Sequence, residues 1–231
     1  MQAIILAAGR GTRMRPLTDR TAKPLIHILG KPLIAHVIES LPPRVDEIIV
    51  VVGYRGDEVA AHCKRMFPNL RLFFKNQETL NGTLRALELV QKLVRGPFLV
   101  LMADDIIDRA SLEWLSNVDS PALLTATSQN PEKYGVVVIR KDGTIEGIEE
   151  KPPNPRSNTI STGAMRLDER IFEYEIDPHP NGERYLSVAL AKLAREVSVM
   201  AAPAAQWISV GSIPDIALAE EILKNQEMQL L

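Results

Sequence analysis

The sequence has little of several features that mark common classes of protein. It has one cysteine, Cys63, so no disulfide can form within the chain, and a lone cysteine is typical of a reducing compartment. No apolar run approaches the ~20 residues that a membrane helix needs, and the first residues read as a core strand without a charged leader. The net charge is −2 and the basic residues are dispersed, which disfavours a nucleic-acid surface. We therefore expect a cytoplasmic protein that binds neither nucleic acid nor membrane.

Patterns for several catalytic and metal-binding classes are also missing. The four histidines show no metal-ligand spacing, and no Ser-His-Asp or Cys-His arrangement is indicated. The chain has 231 residues, of which 45% are hydrophobic and 24% are charged. That length and composition are enough for one large domain with a proper core, or for a domain with a small lobe.

Strand and helix patterns alternate through the first half of the chain. Predicted strands cover residues 3–8, 47–52, 70–74 and 98–102, and predicted helices cover 33–41, 56–66 and 83–93. Such a series predicts a parallel sheet covered on both faces, with ligands bound outside the carboxyl ends of the strands. The second half predicts strands at 122–127, 135–139, 144–149, 161–167 and 197–200, and helices at 186–196 and 213–225.

A glycine-rich loop follows the first predicted strand. Gly9 and Gly11 let the backbone turn sharply and approach a ligand closely. Thr12, Arg13 and Lys23 add hydroxyl and cationic groups to the same stretch. Backbone N–H groups backed by cations suit a polyphosphate, whereas the alternative is a tight turn whose cations are only solvated.

This loop is neither of the two common phosphate loops. Met14 stands where G-x-G-x-x-G has its third glycine, and Pro32 stands where a Walker A loop needs Ser or Thr. Residues 2–24 instead resemble the signature of sugar-1-phosphate nucleotidylyltransferases, G-x-G-T-R-hydrophobic-x-P-L-T followed by K-P. The matching residues are Gly9, Gly11, Thr12, Arg13, Met14, Pro16, Leu17, Thr18, Lys23 and Pro24.

The resemblance covers nearly the whole chain and implies both a fold and an activity. The implied fold is α/β: a three-layer α/β/α sandwich, the Rossmann-like nucleotidyltransferase fold with a mixed central sheet. It forms a single domain over 1–231, with an NTP-binding half at about 1–118 and a sugar-binding lobe with the C-terminal helix at about 119–231. The implied reaction joins an NTP to a sugar-1-phosphate and yields NDP-sugar and pyrophosphate. A stand-alone enzyme is expected, and a homo-oligomer is left open.

The resemblance also implies which residues meet the NTP. Arg13 is expected at the triphosphate and pyrophosphate, Lys23 at the α-phosphate and sugar phosphate, and Asp104 as the Mg²⁺ ligand; these three are the predicted catalytic residues. Gln77 and Gly82 fit a base-reading element, Q-x(4)-G-T, although Thr83 could simply be the N-cap of the next helix. The predicted NTP-binding residues are Leu6, Ala8, Gly9, Gly11, Thr12, Arg13, Gln77, Gly82 and Thr83.

Elements in the second half resemble the family's sugar site. Tyr134-Gly135 and the Glu-Lys-Pro run at 150–152 match its Y-G-hydrophobic and E-K-P elements. Glu149 competes with Glu150, because strand alternation puts only one of them on the ligand face. The predicted residues for the sugar phosphate are Lys23, Gly135, Glu150, Lys151 and Thr162.

Two departures from the family pattern leave the activity open. Ser209 stands where the family has its second Mg²⁺ carboxylate, and Ala103 replaces the glycine before Asp104; Asp105 is expected to be a turn or supporting residue. One alternative is therefore a catalytically weak relative that binds nucleotide-sugar and regulates a partner. Another is transfer to a non-sugar phosphate such as phosphocholine, which would want an aromatic cage, and the chain has only eleven aromatic residues.

Overall fold

Apolar, β-branched runs build the centre of the main sheet in a computed structural model of the protein. The structure describes residues 1–229, with side chains through Gln226. All six residues of the first strand are buried, as are all six of Glu47–Val52, which is typical of parallel strands covered on both faces. The strands in chain order are β1 Gln2–Ala7, β2 His27–Ile28, β3 Lys31–Pro32, β4 Glu47–Val52, β5 Leu72–Asn76, β6 Phe98–Met102, β7 Asp105–Ile107, β8 Ala122–Thr127, β9 Gly135–Ile139, β10 Ile145–Glu150, β11 Thr159–Leu167, β12 Met200–Pro203 and β13 Trp207–Ser209.

The main sheet has nine strands and is mixed. Its path runs β10-β9-β11-β6-β1-β4-β5, and β8 joins β11 to β12. Strands β6, β1, β4 and β5 are parallel to one another, whereas β11 pairs antiparallel with β6 and carries the second half of the chain onto the same sheet. Strands β7 and β13 form a separate two-stranded antiparallel ribbon.

Helices cover both faces of this sheet, because successive residues of a strand point to opposite sides. Ile4 and Leu6 of β1 pack with α4 and α6, whereas Ala3 and Ile5 pack with α2, α3 and α5. The predicted three-layer α/β/α sandwich with a mixed sheet is therefore confirmed. The helices are α1 Leu17–Arg20, α2 Leu33–Ser40, α3 Gly56–Met66, α4 Thr83–Glu88, α5 Arg109–Asn117, α6 Leu186–Glu196 and α7 Ile213–Gln229.

Several predicted boundaries were wrong. Helix α4 ends five residues earlier than predicted, because Val90 and Leu93 donate their N–H groups three residues back, to Leu87 and Val90, and form turns. The strand predicted at 70–74 begins two residues later, as β5, and the strand predicted at 197–200 begins three residues later, as β12. Helix α5 and the β7–β13 ribbon were not predicted.

Thr83 is not the N-cap of its helix. Gly82 holds that position, and Thr83 is the first helical residue. The Thr83 Oγ1 instead accepts a hydrogen bond from the N–H of Leu186 at 2.9 Å. This hydroxyl therefore joins the start of α4 to the start of α6, which belongs to the second half of the chain.

Two expectations from composition concerned membrane helices and the single cysteine. No helix among the described residues is long and apolar enough to cross a membrane. Cys63 is fully buried on α3, and burial raises the pKa of its thiol to about 11. A thiol in that state is protonated and packed.

Candidate functional site

Two adjoining pockets open at the carboxyl edge of the parallel strands. Thr83, Met102 and Tyr185 line both of them, so they form one continuous cleft. We call the first the nucleotide pocket. Its walls are Leu6, Ala8, Gly9, Gln77, Leu80, Gly82, Thr83, Ala86, Met102, Asp104, Glu183 and Tyr185. Seven of the predicted NTP-side residues lie here: Leu6, Ala8, Gly9, Gln77, Gly82, Thr83 and Asp104.

Gln77 is held firmly at the wall of the nucleotide pocket. Its side chain is buried, and its Nε2 donates to Asn81 Oδ1 and to the carbonyl oxygen of Gly82, both at 3.2 Å. With both N–H groups used inside the loop, the amide oxygen is the atom left to address a ligand.

Gly82 could not be replaced without moving its neighbours. It has φ +111°, and an added Cβ would lie 2.3 Å from the carbonyl oxygen of Arg184. Arg184 also donates its N–H to Asn81 O at 2.8 Å and accepts from the N–H of Leu84 at 3.0 Å. The segment before α6 is therefore bonded along the loop that carries Gln77 and Gly82.

An ion pair lies where the nucleotide pocket meets the phosphate loop. The ammonium of Lys23 bonds to Oδ2 of Asp104. Lys23 is buried and begins a short 3-10 helix, whereas the side chain of Asp104 is 34% exposed and follows β6. Two of the three predicted catalytic residues, far apart in sequence, are thus in direct contact.

The remaining predicted phosphate-loop residues lie beside this pair without lining either pocket. Gly11 precedes a turn of 3-10 helix that contains Thr12 and Arg13, and the last two are exposed. The guanidinium of Arg13 packs next to Gly211, at the start of the segment that leads to α7. Arg13 is therefore free to reach a polyanion that enters over the loop.

The second pocket, which we call the acceptor pocket, contains the other predicted residues. Its walls are Thr83, Met102, Asp105, Lys133, Tyr134, Gly135, Glu150, Lys151, Ser161, Thr162, Gly163, Met165, Tyr185, Leu186, Ser187 and Trp207. Glu150 faces this pocket and accepts a hydrogen bond from Ser187 Oγ at 2.5 Å, whereas Glu149 pairs with Arg156 outside it. Strand alternation therefore selects Glu150 for the ligand face.

Lys151 is positioned by an aromatic side chain that sequence reasoning missed. Its Nζ donates to Tyr185 Oη at 2.9 Å and lies 4.3 Å from the centre of the Tyr185 ring. Burial lowers the pKa of Lys151, but the Tyr185 hydroxyl and the Glu150 charge outweigh it and leave the pKa raised. The ammonium therefore stays charged inside the acceptor pocket.

Thr162 lines the acceptor pocket, but its hydroxyl is already used. Oγ1 of Thr162 donates to the carbonyl oxygen of Leu124 at 2.7 Å. The following residue, Gly163, has φ +80°, and an added Cβ would lie 2.6 Å from Met102 Cγ. The Thr-Gly pair therefore shapes the wall between the two pockets, and only its backbone is available to a ligand.

The β7–β13 ribbon brings Ser209 opposite Asp105. The two residues are paired in the antiparallel register, and the N–H of Val210 donates to the carbonyl oxygen of Asp104 at 3.0 Å. Asp105 is the first residue of β7, so its expected role as a turn residue was wrong. Oδ1 of Asp105 is buried without a hydrogen-bond partner among the described residues.

The surroundings of the Asp105 carboxyl group disfavour its charged form. Burial, and then the charge of Asp104, raise its pKa well above the usual range, while the Ser209 hydroxyl, Lys23 and the Trp207 indole oppose the rise. Trp207 packs edge-on against Tyr134 with ring centres 5.6 Å apart, and both rings line the acceptor pocket. Perturbed carboxyl groups in a cleft are typical of functional sites.

The model of the Nucleotidyl transferase family matches residues 2–226. The chain belongs to this family. Among curated family members, a bifunctional protein GlmU from Methanocaldococcus jannaschii is 35% identical over 229 residues, which are 98% of this chain and 55% of that protein. The UTP–glucose-1-phosphate uridylyltransferase AglF of Haloferax volcanii is 29% identical over 204 residues, 84% of each protein.

A solved structure of a family relative agrees in fold. A Bacillus anthracis protein described as a glucose-1-phosphate thymidylyltransferase, solved with a sucrose, superposes with a TM-score of 0.84 at 26% identity, over 96% of this chain and 94% of that one. The family resemblance drawn from residues 2–24 is thus confirmed. The chain spans about half the length of the GlmU proteins that it matches.

Proposed function

We propose that the protein transfers a nucleotidyl group from an NTP to a sugar-1-phosphate, releasing pyrophosphate. The observation that carries the proposal is the Lys23–Asp104 ion pair. Asp104 lines the nucleotide pocket, and the acceptor pocket adjoins it. An oxygen of the acceptor phosphate would attack the α-phosphorus of the NTP, and both reactants are polyanions. Catalysis of such a step depends mainly on positioning and on stabilising negative charge.

The residues divide these tasks. Lys23 would hold the α-phosphate close to the acceptor phosphate, and Arg13 would meet the departing pyrophosphate from the exposed side of the loop. Lys151, which keeps its charge, would draw the acceptor phosphate into its pocket. Glu150, oriented by Ser187, is suited to accept hydrogen bonds from sugar hydroxyls.

We also propose that Mg²⁺ takes part. Asp104 would hold it, since its partly exposed carboxylate lies at the end of a strand in the nucleotide pocket and carboxylate oxygens are preferred ligands of this cation. The buried Oδ1 of Asp105, which has no hydrogen-bond partner among the described residues, supports a cation at the acidic end of the ribbon. When bound, Mg²⁺ would neutralise part of the charge on the polyphosphate.

We propose UTP or dTTP as the nucleotide. Gln77 presents an amide oxygen, because both of its N–H groups are bonded to Asn81 and Gly82. An acceptor at this place matches the N3–H of uracil or thymine, whereas N3 of cytosine carries no hydrogen. The uridylyltransferase from Haloferax volcanii and the Bacillus anthracis structure described as a thymidylyltransferase support the same choice.

A second acceptor class has one observation in its favour. Tyr134, Tyr185 and Trp207, three of the eleven aromatic residues of the chain, line the acceptor pocket. Aromatic faces attract quaternary ammonium groups, and this favours phosphocholine. However, the Lys151 ammonium already covers the Tyr185 ring and would repel a second cation. We therefore rank sugar-1-phosphates first.

A substrate panel tests the proposed reaction. Five NTPs would be combined with several hexose-1-phosphates and with phosphocholine in the presence of Mg²⁺, and pyrophosphate release would be measured. We expect turnover with UTP or dTTP and a sugar-1-phosphate. Turnover only with phosphocholine would select the second class. Binding of nucleotide-sugar without any turnover would show a regulatory protein. The reaction is expected in the cytoplasm, in keeping with the single cysteine.

Replacing Gln77 with alanine should weaken base selection. The variant loses the oriented acceptor, so KM for the preferred NTP should rise by about tenfold, the scale of one good hydrogen bond, and the preference over CTP should shrink. Steady-state kinetics with UTP, dTTP, CTP and GTP would measure both effects. Gln91→Ala, an exposed change outside both pockets, is the control. An unchanged ranking of bases would mean that the base is recognised by other groups.

A further inference from the structure

We propose that Asp105 supplies the second protein carboxylate for the divalent cation, a position that Ser209 cannot fill. The inference rests on the proposed function for the presence of the cation. It assigns to Asp105 a direct role that its sequence position did not indicate. Asp104 and Asp105 would then hold the ion together, at the start of the β7–β13 ribbon.

The β7–β13 ribbon explains how a carboxylate on Asp105 can take the place of one at position 209. Asp105 and Ser209 are directly paired in the antiparallel register, and directly paired residues place their Cβ atoms about 4.5–5.5 Å apart on the same face of the ribbon. A carboxylate on either residue can therefore serve the same small volume. Ser209 offers only a neutral hydroxyl, whereas Asp105, its partner across the ribbon, offers a carboxylate.

The surroundings of Asp105 point to a missing cationic partner. Its Oδ1 is buried and accepts no hydrogen bond among the described residues, although buried carboxylates are normally bonded or paired. The Lys23 ammonium bonds to Asp104 and not to Asp105. The adjacent carboxyl groups of Asp104 and Asp105 therefore have one bonded cationic group between them, the Lys23 ammonium. A divalent ion would give each carboxyl group a positively charged partner.

Asp104 and Asp105 also belong to the walls of different pockets. Asp104 lines the nucleotide pocket and Asp105 lines the acceptor pocket. A cation bound by both would lie at their junction, where the α-phosphate and the acceptor phosphate must meet. Asp105 is therefore better placed than Ser209 to link the ion to both substrates.

Binding of Mn²⁺ to the nucleotide-free protein tests this proposal without turnover. Mn²⁺ prefers the same oxygen ligands as Mg²⁺, and its free fraction is measured directly by electron paramagnetic resonance. Asp105→Asn should weaken Mn²⁺ binding by at least ~10-fold, because even the loss of an outer partner of a ligand costs about that much. Asp142→Asn, a matched change on an exposed turn, should leave the affinity within about twofold.

A swap variant separates direct binding from mere support of the ribbon. If Asp105 holds the ion, the double variant Asp105→Asn with Ser209→Asp should recover the affinity lost in Asp105→Asn, because the carboxylate returns from the opposite strand. If Asp105 only positions Trp207 or Ser209, the swap should not recover it. Thermal unfolding would confirm that each variant is folded.

The proposal fails if Asp105→Asn binds Mn²⁺ as wild type does, if the swap brings no recovery, or if wild type binds no Mn²⁺ at millimolar concentrations. These results are distinct from failure of the proposed function, which is an absence of pyrophosphate release across the whole substrate panel. If the protein binds Mn²⁺ through Asp105 but releases no pyrophosphate, the Asp105 proposal stands and the proposed nucleotidyl transfer fails.

Discussion

Replacing Lys23 with methionine should lower kcat by at least ~10²-fold while the protein remains folded. The expected size is that of losing one preorganised group that stabilises developing charge. Methionine keeps most of the apolar stem that is buried against the phosphate loop, so packing should be preserved. The Asp104 carboxylate loses its partner, but its side chain is 34% exposed and can be hydrated. Initial rates of pyrophosphate release and a thermal unfolding curve would be compared with wild type.

Lys31→Met is the matched control for this result. Lys31 also pairs with a carboxylate, that of Glu39, but both side chains are well exposed on the outer surface. Such surface pairs contribute little to stability, and the control should lose neither activity nor more than about 1 kcal/mol of stability. A near-normal rate for Lys23→Met would remove Lys23 from the mechanism.

Replacing Gly82 with alanine should destabilise the protein and impair the site together. The residue would be forced to keep φ +111° with a Cβ that meets the Arg184 backbone at 2.3 Å. Backbone strain and overpacking each cost on the order of 1–3 kcal/mol, so the free energy of unfolding should fall by about 2 kcal/mol or more. For a chain of this size the midpoint of thermal unfolding should drop by several degrees, roughly 2–4 °C per kcal/mol.

The same substitution at Gly147 provides the comparison. Gly147 lies in β10, has no positive φ, and an added Cβ would meet nothing within 4 Å. Gly147→Ala should therefore leave the unfolding midpoint within about one degree of wild type, since strand alanine is tolerated. If both variants unfold at the wild-type temperature, the loop at Gly82 rearranges easily, and its contact with Arg184 does not matter for stability.

The sequence predicted those parts of the fold that rest on continuous apolar runs. Strands β1, β4 and β6 are buried along almost their whole length, and burial of both faces gives a signal that needs no knowledge of partners. Strand β5 is different, because it lies at the sheet edge and alternates between half-buried and exposed residues. Its pattern is weaker, and its boundary was missed by two residues.

The missed part of the site depends on a pairing between distant segments. Strands β7 and β13 have three residues each and are about 100 residues apart in the chain, too short to show a period. Asp108 helps to hold them together: it caps α5 through the N–H of Ser111 at 2.8 Å and accepts from the N–H of Gln206 at 2.9 Å. Only the folded chain could therefore place Asp105 opposite Ser209.

Most predicted site residues did converge on the cleft, because their motifs follow strands that end at one edge of the sheet. The predictions for Leu6, Gln77, Gly135 and Glu150 came from the family resemblance, and all four residues line the cleft. Their functional roles stay predictions until the variants are measured. Tyr185 and Ser187 could not be found this way, since their importance arises from contacts with Lys151 and Glu150 across the pocket.

The hydrogen bonds that join residues 81–84 to the segment at the start of α6 have a thermodynamic consequence for the binding of the two substrates. Three bonds, through Asn81, Thr83 and Leu84, join the wall of one pocket to the segment that carries Tyr185 in the other. If a nucleotide orders residues 77–84, these bonds should also order the segment that carries Tyr185, and acceptor binding should then lose less entropy. Linkage makes this effect reciprocal, so each substrate should raise the affinity for the other by the same factor.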